Sequence, residues 1–215
     1  MIDSVVIAAV SPGRRQLAAV SLDDGETVQL YAPFVDECGL RPGQTIPLTQ
    51  WEELCEASAL RLAREKALRL LALRDHTRAE LVRKLRESGF AEAADAAADG
   101  MEALGYLDDA RFAANFAEEL NARGKYGVRR IGSELMKRGV PRDLAEDAVA
   151  ALENDPISQI SKLLERQYAG RLDTVSGREK AAASLARAGF AFADIRTAMK
   201  TLGEGSSDLQ NQDED

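Results

Sequence analysis

At the middle of the chain stands Glu134-Leu135-Met136-Lys137-Arg138-Gly139-Val140, and its pattern occurs twice more. Fifty residues upstream, residues 84–90 read Lys-Leu-Arg-Glu-Ser-Gly-Phe, and fifty residues downstream, residues 184–190 read Ser-Leu-Ala-Arg-Ala-Gly-Phe. A leucine, a glycine and an apolar residue fall in register in all three copies. Self-similarity at a fixed period indicates tandem supersecondary units, each of which buries its apolar face against its neighbours.

Each copy of the pattern predicts where a helix ends. The residue after the last helical turn often needs a positive φ, which glycine adopts most easily, and the apolar residue after it can fold back onto the helix. Beyond the glycine, a further helix ends in Leu104, Leu152 or Leu202. The glycine and this leucine are fifteen residues apart in the first copy and thirteen in the others, so the alanine-rich residues 91–98 carry a two-residue insertion.

The composition is that of a soluble, mostly helical protein of one or two domains, with 215 residues, 30% of them charged and 5% aromatic. No apolar run has transmembrane length, and the first residues lack the features of a secretory signal, so we expect a cytoplasmic protein. Cys38 and Cys55 have no paired spacing, and His76 is the sole histidine. No zinc set is recognisable, and we expect reduced, partly buried thiols.

The net charge of −8 argues against non-specific binding of nucleic acid by the chain as a whole. The distribution is uneven: −4 for residues 1–64, −3 for 65–110, 0 for 111–155, +4 for 156–203 and −5 for 204–215. The basic side chains are therefore concentrated in the later repeats.

The first fifty residues predict a small antiparallel sheet. Residues 5–10, 17–22 and 27–31 are short apolar runs bounded by turn residues, and Asp24-Gly25 is a strong hairpin signal. Pro33 ends the third run, and a last extended piece around Ile46 and Leu48 is expected to return to the sheet. Because so short a module has a marginal core, we expect it to pack on the helices that follow.

Two Thr-x-x-Glu patterns predict helix starts. In such a capping box the hydroxyl and the carboxylate satisfy free amides of the first turn. Thr49-x-x-Glu52 should begin a helix of some twenty-five residues, because neither proline nor glycine interrupts residues 50–75. Thr77-x-x-Glu80 should begin the next helix, which opens the first repeat proper.

These signals define a mainly α fold, in which a small antiparallel β module precedes three tandem three-helix repeats. Asp108 can cap the helix that starts the second repeat, and Pro156 starts the third. From residue 204 onward the chain is rich in Gly, Ser, Asn, Gln and acids, which predicts disorder. The expected domains are the β module 1–48, the linker helix and first repeat 49–106, the second repeat 107–155, the third repeat 156–203 and a disordered acidic tail 204–215.

Several motifs follow one another within residues 60–202. They are Arg74-x-x-Thr77-x-x-Glu80-Leu81, Lys84-Leu85, Gly105-Tyr106-Leu107-Asp108-Asp109-x-x-Phe112-Ala113 and Ile131-x-x-Glu134-Leu135-x-x-x-Gly139-Val140. Their combination resembles the RecX family, bacterial regulators of the RecA recombinase. The chain departs from that family at Thr77, where serine is usual, and at the alanine-rich residues 181–183 of the third repeat. The sheet module is similar to one found in the longer members.

The resemblance implies that the three repeats form an elongated, curved array that lodges in the helical groove of the RecA–DNA filament. It also implies modulation, usually inhibition, of the recombinase rather than chemistry of the protein's own. The expected partner is thus the RecA filament, with DNA, bound directly or within the filament, as a second candidate. No cofactor, metal or membrane is expected to be bound, and we expect a monomer.

Basic side chains are the candidate partner-binding residues. Arg130, Glu134 and Arg138 lie at i, i+4 and i+8, and the adjacent pair of Arg129 and Arg130 can make bidentate contacts with carboxylate or phosphate. The alternative is a solvated face with intrahelical ion pairs of ~0.3–0.5 kcal/mol each. With their equivalents in the other repeats, the candidates are Arg123, Lys125, Arg129, Arg130, Lys137, Arg138, Arg78, Arg83, Lys84, Arg178, Lys180 and Arg187.

Other residues have two interpretations each. His76 is a conceivable general base, but no nucleophile or acid is placed with it in a motif, which favours a surface role. Tyr106 and Phe112 are either recognition aromatics or, as we expect, seals between repeats. Asp108 and Asp109 are weak metal ligands on their own, and capping already explains one of them.

Two other functions compete with filament regulation. Three-helix units also occur in helix-turn-helix proteins that bind DNA directly, but the chain is acidic, lacks a recognition helix rich in Arg, Asn and Gln, and has few aromatics for stacking. An enzyme is disfavoured because no nucleophile motif, phosphate loop or metal set is present in the sequence.

Overall fold

The computed structural model describes residues 4–14 and 16–210, and for residues 203–210 it describes the backbone alone. The chain divides into two compact units, residues 1–108 and residues 109–215. The first unit holds the β module and the first repeat, and the second unit holds the other two repeats.

The elements follow the predicted order of a short sheet and then helices, except that one helix lies between the third and fourth strands. The strands are β1 (Ser4–Pro12), β2 (Leu17–Leu22), β3 (Thr27–Tyr31) and β4 (Thr45–Pro47). The helices are α1 (Ala32–Cys38), α2 (Leu48–Leu71), α3 (Arg78–Glu87), α4 (Ala94–Ala103), α5 (Asp109–Ala122), α6 (Val128–Lys137), α7 (Arg142–Ala150), α8 (Pro156–Tyr168), α9 (Val175–Arg187) and α10 (Phe192–Gln210).

The sheet is antiparallel with strand order β3-β2-β1-β4. Strands β2 and β3 form the hairpin expected at Asp24-Gly25, where Gly25 has a φ of 92°. Alternate residues Ala18, Val20 and Leu22 of β2 are buried, as a half-buried strand requires. This face packs on Trp51 of α2 within one apolar cluster, so the module is stabilised by the helix that follows it.

The start of the helical region differs from the sequence prediction. Helix α1 is absent from the sequence prediction, in which Pro33 ends the sheet, because proline is equally compatible with the first turn of a helix. Ile46 returns to the sheet as predicted, but α2 already begins at Leu48 after Pro47. The predicted capping box at Thr49 is therefore wrong, since Thr49 lies within the first turn of α2 and not before it.

The glycine stops are confirmed in all three repeats. Gly89, Gly139 and Gly189 have φ values of 92°, 83° and 93°. In each copy the amide of the next residue donates to the carbonyl of the leucine five positions before it, with N···O distances of 3.0, 3.2 and 3.2 Å. This is the Schellman arrangement, in which orphan carbonyls at a helix end are satisfied.

Each repeat has its own cluster of buried side chains, which includes the leucine of the repeated pattern, Leu85, Leu135 or Leu185. The first repeat packs Leu81, Leu85 and Met101 on Ala63 and Ala67 of α2. The second repeat is centred on Phe112, Leu120, Ile131, Leu135 and Val140. The third repeat is centred on Ile160, Leu164, Leu185, Phe190 and Ile195.

The carboxyl-terminal end differs in part from the expected disordered tail 204–215. Helix α10 continues to Gln210, so the backbone of residues 204–210 is helical. Extending an existing helix by one residue is far easier than nucleating a new one, and no proline stops it here. Residues 211–215 lie outside the described residues.

A candidate partner-binding surface on the second repeat

Helix α6 is held in place by two glycines. Its N-cap residue Gly127 has an extended backbone and donates its amide to the carbonyl of Ala188, at 2.9 Å. A Cβ at Gly127 would collide with the backbone of Gly189, and a Cβ at Gly189 would collide with the backbone of Arg130. Only glycine permits this approach, so the start of α6, with Arg129 and Arg130, is fixed against the turn between α9 and α10.

Three charges on α6 form one cluster. Glu134 accepts from Arg130 at 2.6 Å and from Lys137 at 3.1 Å, one turn to each side. The hydrogen bond from Lys137, followed by the charge of Arg130, lowers the pKa of the Glu134 carboxyl below its usual value. The cluster carries one net positive charge and is partly exposed, so its pairs add little to stability.

Arg138, the residue that follows the last turn of α6, contacts aromatic rings of α5. Its guanidinium lies 4.4 Å from the ring centroid of Phe116 and 6.0 Å from that of Phe112, over two stacked rings of α5. A cation over an aromatic face is attracted by the ring quadrupole. The predicted binding residue Arg138 is therefore engaged with α5.

Arg129 is exposed and forms no ion pair with any of the described residues. It lies at the edge of a groove between α6 and α7 with a volume of about 400 Å³. In the loop before α6, Lys125 is likewise exposed and without an ion pair in the described part of the chain, whereas Arg123 pairs with Glu119. The cations of this repeat that remain open to a partner's anion are thus Lys125 and Arg129.

The equivalent residues of the first repeat are engaged within the fold. Arg78 bridges α3 to α4 through Asp99 at 2.5 Å, Asp95 at 3.4 Å and Glu102 at 3.9 Å. The hydrogen bond to Asp99 in particular raises the pKa of the Arg78 guanidinium, so it stays charged. Arg83 pairs with Glu87 at 2.7 Å.

The remaining candidates have mixed surroundings. Lys84 is half-buried in the first repeat. In the third repeat, Arg178 donates to the carbonyl of Leu172 at 2.8 Å and Arg187 to that of Ala183 at 3.3 Å. Lys180 is exposed and forms no ion pair within the described ranges 4–14 and 16–210.

His76 is not at the surface, contrary to the sequence interpretation. The residue is only 4% exposed, and its Nδ1 lies 3.1 Å from the Oε2 of Glu80, which also accepts from Arg74 at 2.9 Å. Burial, more than the charge of Arg74, lowers the pKa of the imidazole. Thr77 caps α3 by accepting from the Glu80 amide at 3.1 Å, so this predicted cap is confirmed. Glu80 one helical turn beyond His76 was the signal that could have revealed the pair.

The other candidate residues are placed as follows. Phe112 is buried in the core of the second repeat, and Tyr106 is 56% exposed. Cys38 and Cys55 are free, half-buried thiols, and burial raises the pKa of Cys55 to about 11.

Within the described residues no three His, Cys, Asp or Glu side chains are grouped as metal ligands, and no helix there is long and apolar enough to cross a membrane.

Comparisons with known proteins agree on one family. Residues 63–98 match the model of the first three-helix domain of RecX, and residues 108–149 match that of its second three-helix domain. A protein named "Regulatory protein RecX" from Xanthomonas campestris pv. campestris (strain B100) is 37% identical over 139 residues, which are 63% of this chain and 85% of the relative. Its namesake from Ectopseudomonas mendocina (strain ymp) is 40% identical over 119 residues, 55% of this chain and 78% of the relative.

A solved structure described as "Crystal structure of regulatory protein RecX" matches the fold with a TM-score of 0.66 at 18% identity, over 91% of this chain and 99% of that one. The fold and the surface of α6 define a protein of tandem three-helix domains with a charged face on its second domain. The sequence matches identify the family as well as the fold: the chain belongs to the RecX family.

Proposed function

We propose that this protein regulates the RecA recombinase by binding the RecA–DNA filament in its groove, and that binding lowers ATP hydrolysis and strand exchange. The observation that carries the proposal is the family match: a relative named as a regulatory protein is 37% identical over 85% of its length. The resemblance of the motifs around Thr77 and Leu135 to that family supplies the partner.

The surface of the second repeat supports binding rather than catalysis. Arg129 and Lys125 are exposed cations available to anions of a partner, and α6 is held rigidly by its contact with Gly189. A rigid element fixes the position of its side chains before a partner arrives, which reduces the entropy cost of binding. The one histidine is buried in an ion cluster, where it is shielded from any substrate.

We place the protein in the cytoplasm as a monomer, with DNA contacted chiefly as part of the filament. The net charge of −8 supports the last of these points, because free DNA and an acidic protein repel each other at long range. The cations of the second and third repeats then act at short range, once the filament protein has positioned them.

The test is RecA's DNA-dependent ATP hydrolysis and strand exchange, titrated with the wild-type protein at fixed salt. We expect both activities to fall as the protein is added. Replacing Arg129 and Arg130 by Glu should weaken the effect at least ~tenfold, because attraction becomes like-charge repulsion. Arg14→Glu combined with Arg41→Glu, at two exposed positions of the β module, changes the net charge by the same amount and is the matched control, which should act like wild type.

Two outcomes separate the parts of the proposal. If the wild-type protein leaves both recombinase activities unchanged and does not sediment with filaments, the proposed function is wrong. If the wild type inhibits but the double charge reversal inhibits equally, the function holds and the surface of α6 is only a solvated face.

A further inference from the structure

The groove between α6 and α7 has an apolar floor and a charged rim. Its volume of about 400 Å³ is large enough for one or two side chains of a partner. We call the large and small apolar residues that line it the floor and the charged ones the rim, and Gly132 and Ser133 line it as well. The floor is Val128, Met136, Ala145, Val149 and Ala150, and the rim is Arg129, Arg142 and Glu146. Met136 is 49% exposed although it is a large apolar residue.

Gly132 lines this groove from the middle of α6. Glycine is among the poorest helix formers, so in a helix interior it calls for a reason. Close packing is not the reason, because a Cβ there would meet only Val149 Cγ2, at an ordinary 3.7 Å. Gly127 and Gly189 are different, since a Cβ at either would collide with backbone atoms.

The fifty-residue register shows what stands at this position in the other repeats. The equivalents of Gly132 are Val82, which is buried in the core of the first repeat, and Ala182, which packs against the core of the third. The middle repeat alone has no side chain at this position. Since neither its own core nor a neighbouring backbone demands the glycine, we infer that the lack of a large side chain at this position is what keeps the groove open.

The rim determines the charge that fits. Arg142 is neutralised by Glu146 at 2.7 Å, whereas Arg129 has no ionic partner among the residues the structure describes. Its equivalents in register are Ala79 and Glu179, so the middle repeat again differs. One unbalanced cation beside an apolar floor suits a carboxylate next to an apolar side chain. A nucleic-acid strand fits less well, because it needs several cations along its phosphates.

We propose that the α6–α7 groove receives a short segment of the recombinase in which an apolar side chain, inserted beside Gly132, adjoins a carboxylate that pairs with Arg129. This inference rests on the proposed function, which it narrows to one docking point. Met136 contributes an adaptable apolar contact, because the unbranched thioether side chain adjusts to the shape of its neighbour.

The groove can be closed without disturbing the fold. Gly132→Leu fills it with a side chain that also favours the helix, and Gly132→Ala favours the helix but leaves most of the space open. Ala114→Leu, at an exposed position of α5 outside the groove, is the control for added apolar surface. Met136→Glu is a second groove variant, which replaces the apolar contact offered to the partner's side chain by a charge that would have to lose its water on binding.

The measurement is affinity for RecA–DNA filaments by fluorescence anisotropy, with melting temperature as the check on folding. We expect Gly132→Leu and Met136→Glu to weaken binding at least ~tenfold, and Gly132→Ala and Ala114→Leu to stay within ~twofold of wild type. A parallel arm measures affinity for labelled single-stranded DNA alone.

Each result decides something definite. Wild-type binding to filaments by well-folded Gly132→Leu and Met136→Glu would overturn the docking inference while leaving the proposed function intact. Loss of binding to bare DNA in the same two variants would also overturn it, because the groove would then hold nucleic acid. Failure of the wild type to bind filaments would instead remove the proposed function itself.

Discussion

At the scale of single residues, the same glycine conformation has different neighbours in different repeats. Gly89 and Gly189 have φ values of 92° and 93°, but a Cβ would meet nothing within 4 Å at Gly89 and would collide with Arg130 at Gly189. The two positions therefore separate the cost of a left-handed backbone from the cost of a close approach.

Alanine substitution at these two glycines is the first prediction. Gly89→Ala should destabilise the protein by ~1–2 kcal/mol, the cost of a left-handed conformation for a residue with a Cβ. Gly189→Ala should cost more, because the added methyl also forces α6 away from the turn between α9 and α10. The free energy of unfolding in urea, followed by circular dichroism, measures both. Equal costs would contradict the close contact between Gly127, Gly189 and Arg130.

The second prediction concerns His76 and pH. Its pKa is lower in the folded protein than in the unfolded chain, mainly through burial, so the unfolded chain binds the proton more readily. The contribution of this group is complete above the unfolded value of about 6.5 and is lost as the pH falls through the folded pKa. The melting temperature should therefore fall from pH 7.5 to pH 5.5.

A matched variant isolates this contribution. His76→Gln keeps a polar group near Glu80 but removes the titration, so its melting temperature should change less over the same interval. Arg74, Glu80 and Lys84 are the charged groups that act on the imidazole, and they remain in the variant. The same fall in wild type and variant would assign the pH dependence to other groups.

At the scale of elements, two identical Thr-x-x-Glu patterns have different outcomes. Thr77 is fully buried and accepts from the Glu80 amide at the start of α3. Thr49 lies in the first turn of α2, which begins after Pro47 without a side-chain cap. The motif is thus neither sufficient for a cap, since α2 already begins after Pro47, nor necessary, since Thr174 caps α9 without a glutamate three residues later.

The third prediction is that alanine substitution destabilises the protein at Thr77 but not at Thr49. Thr77→Ala should cost ~0.5–2 kcal/mol of stability, the usual loss on removing a helix cap. Thr49→Ala should be neutral within ~0.5 kcal/mol, because an exposed side chain with no capping role is lost. Chemical denaturation of the two variants side by side measures both values. A comparable loss at Thr49 would mean that its hydroxyl caps α2 after all.

Features with local causes could be predicted from the sequence, and features that depend on tertiary contacts could not. The hairpin at Asp24-Gly25 and the glycine stops follow from turn chemistry within a few residues. Helix α1 buries Phe34 and Val35 through tertiary contacts, with Val35 in the core of the sheet and Phe34 under the guanidinium of Arg61 in α2. Arg78 pairs with Asp95 and Asp99, which are 17 and 21 residues away in the sequence. The sequence therefore does not show that the charge of this guanidinium is neutralised.

At the scale of the whole molecule, a strongly acidic chain carries its available cations in few places. The net charge is −8, yet residues 156–203 carry +4 and the second repeat presents Arg129 and Lys125 unpaired within its described part. At long range the electrostatic field of the protein is therefore negative, whereas these parts of the chain are locally positive.

The fourth prediction follows from this opposition. At ~0.15 M salt the protein should bind RecA–DNA filaments far more tightly than the same DNA without RecA, because few phosphate contacts are available to offset the repulsion. Anisotropy of labelled single-stranded DNA, with and without RecA, compares the two affinities. Equal affinities for both would favour the direct DNA-binding alternative.

Helix α2 belongs to two cores at once. Near its start Trp51 closes the core of the sheet, and further along Ala63 and Ala67 enter the core of the first repeat. In evolutionary terms the β module is therefore not a freely exchangeable addition. A lineage that lost residues 1–47 would expose Trp51 and its apolar neighbour Leu54 to water, so polar replacements along that half of the helix would have to accompany the loss.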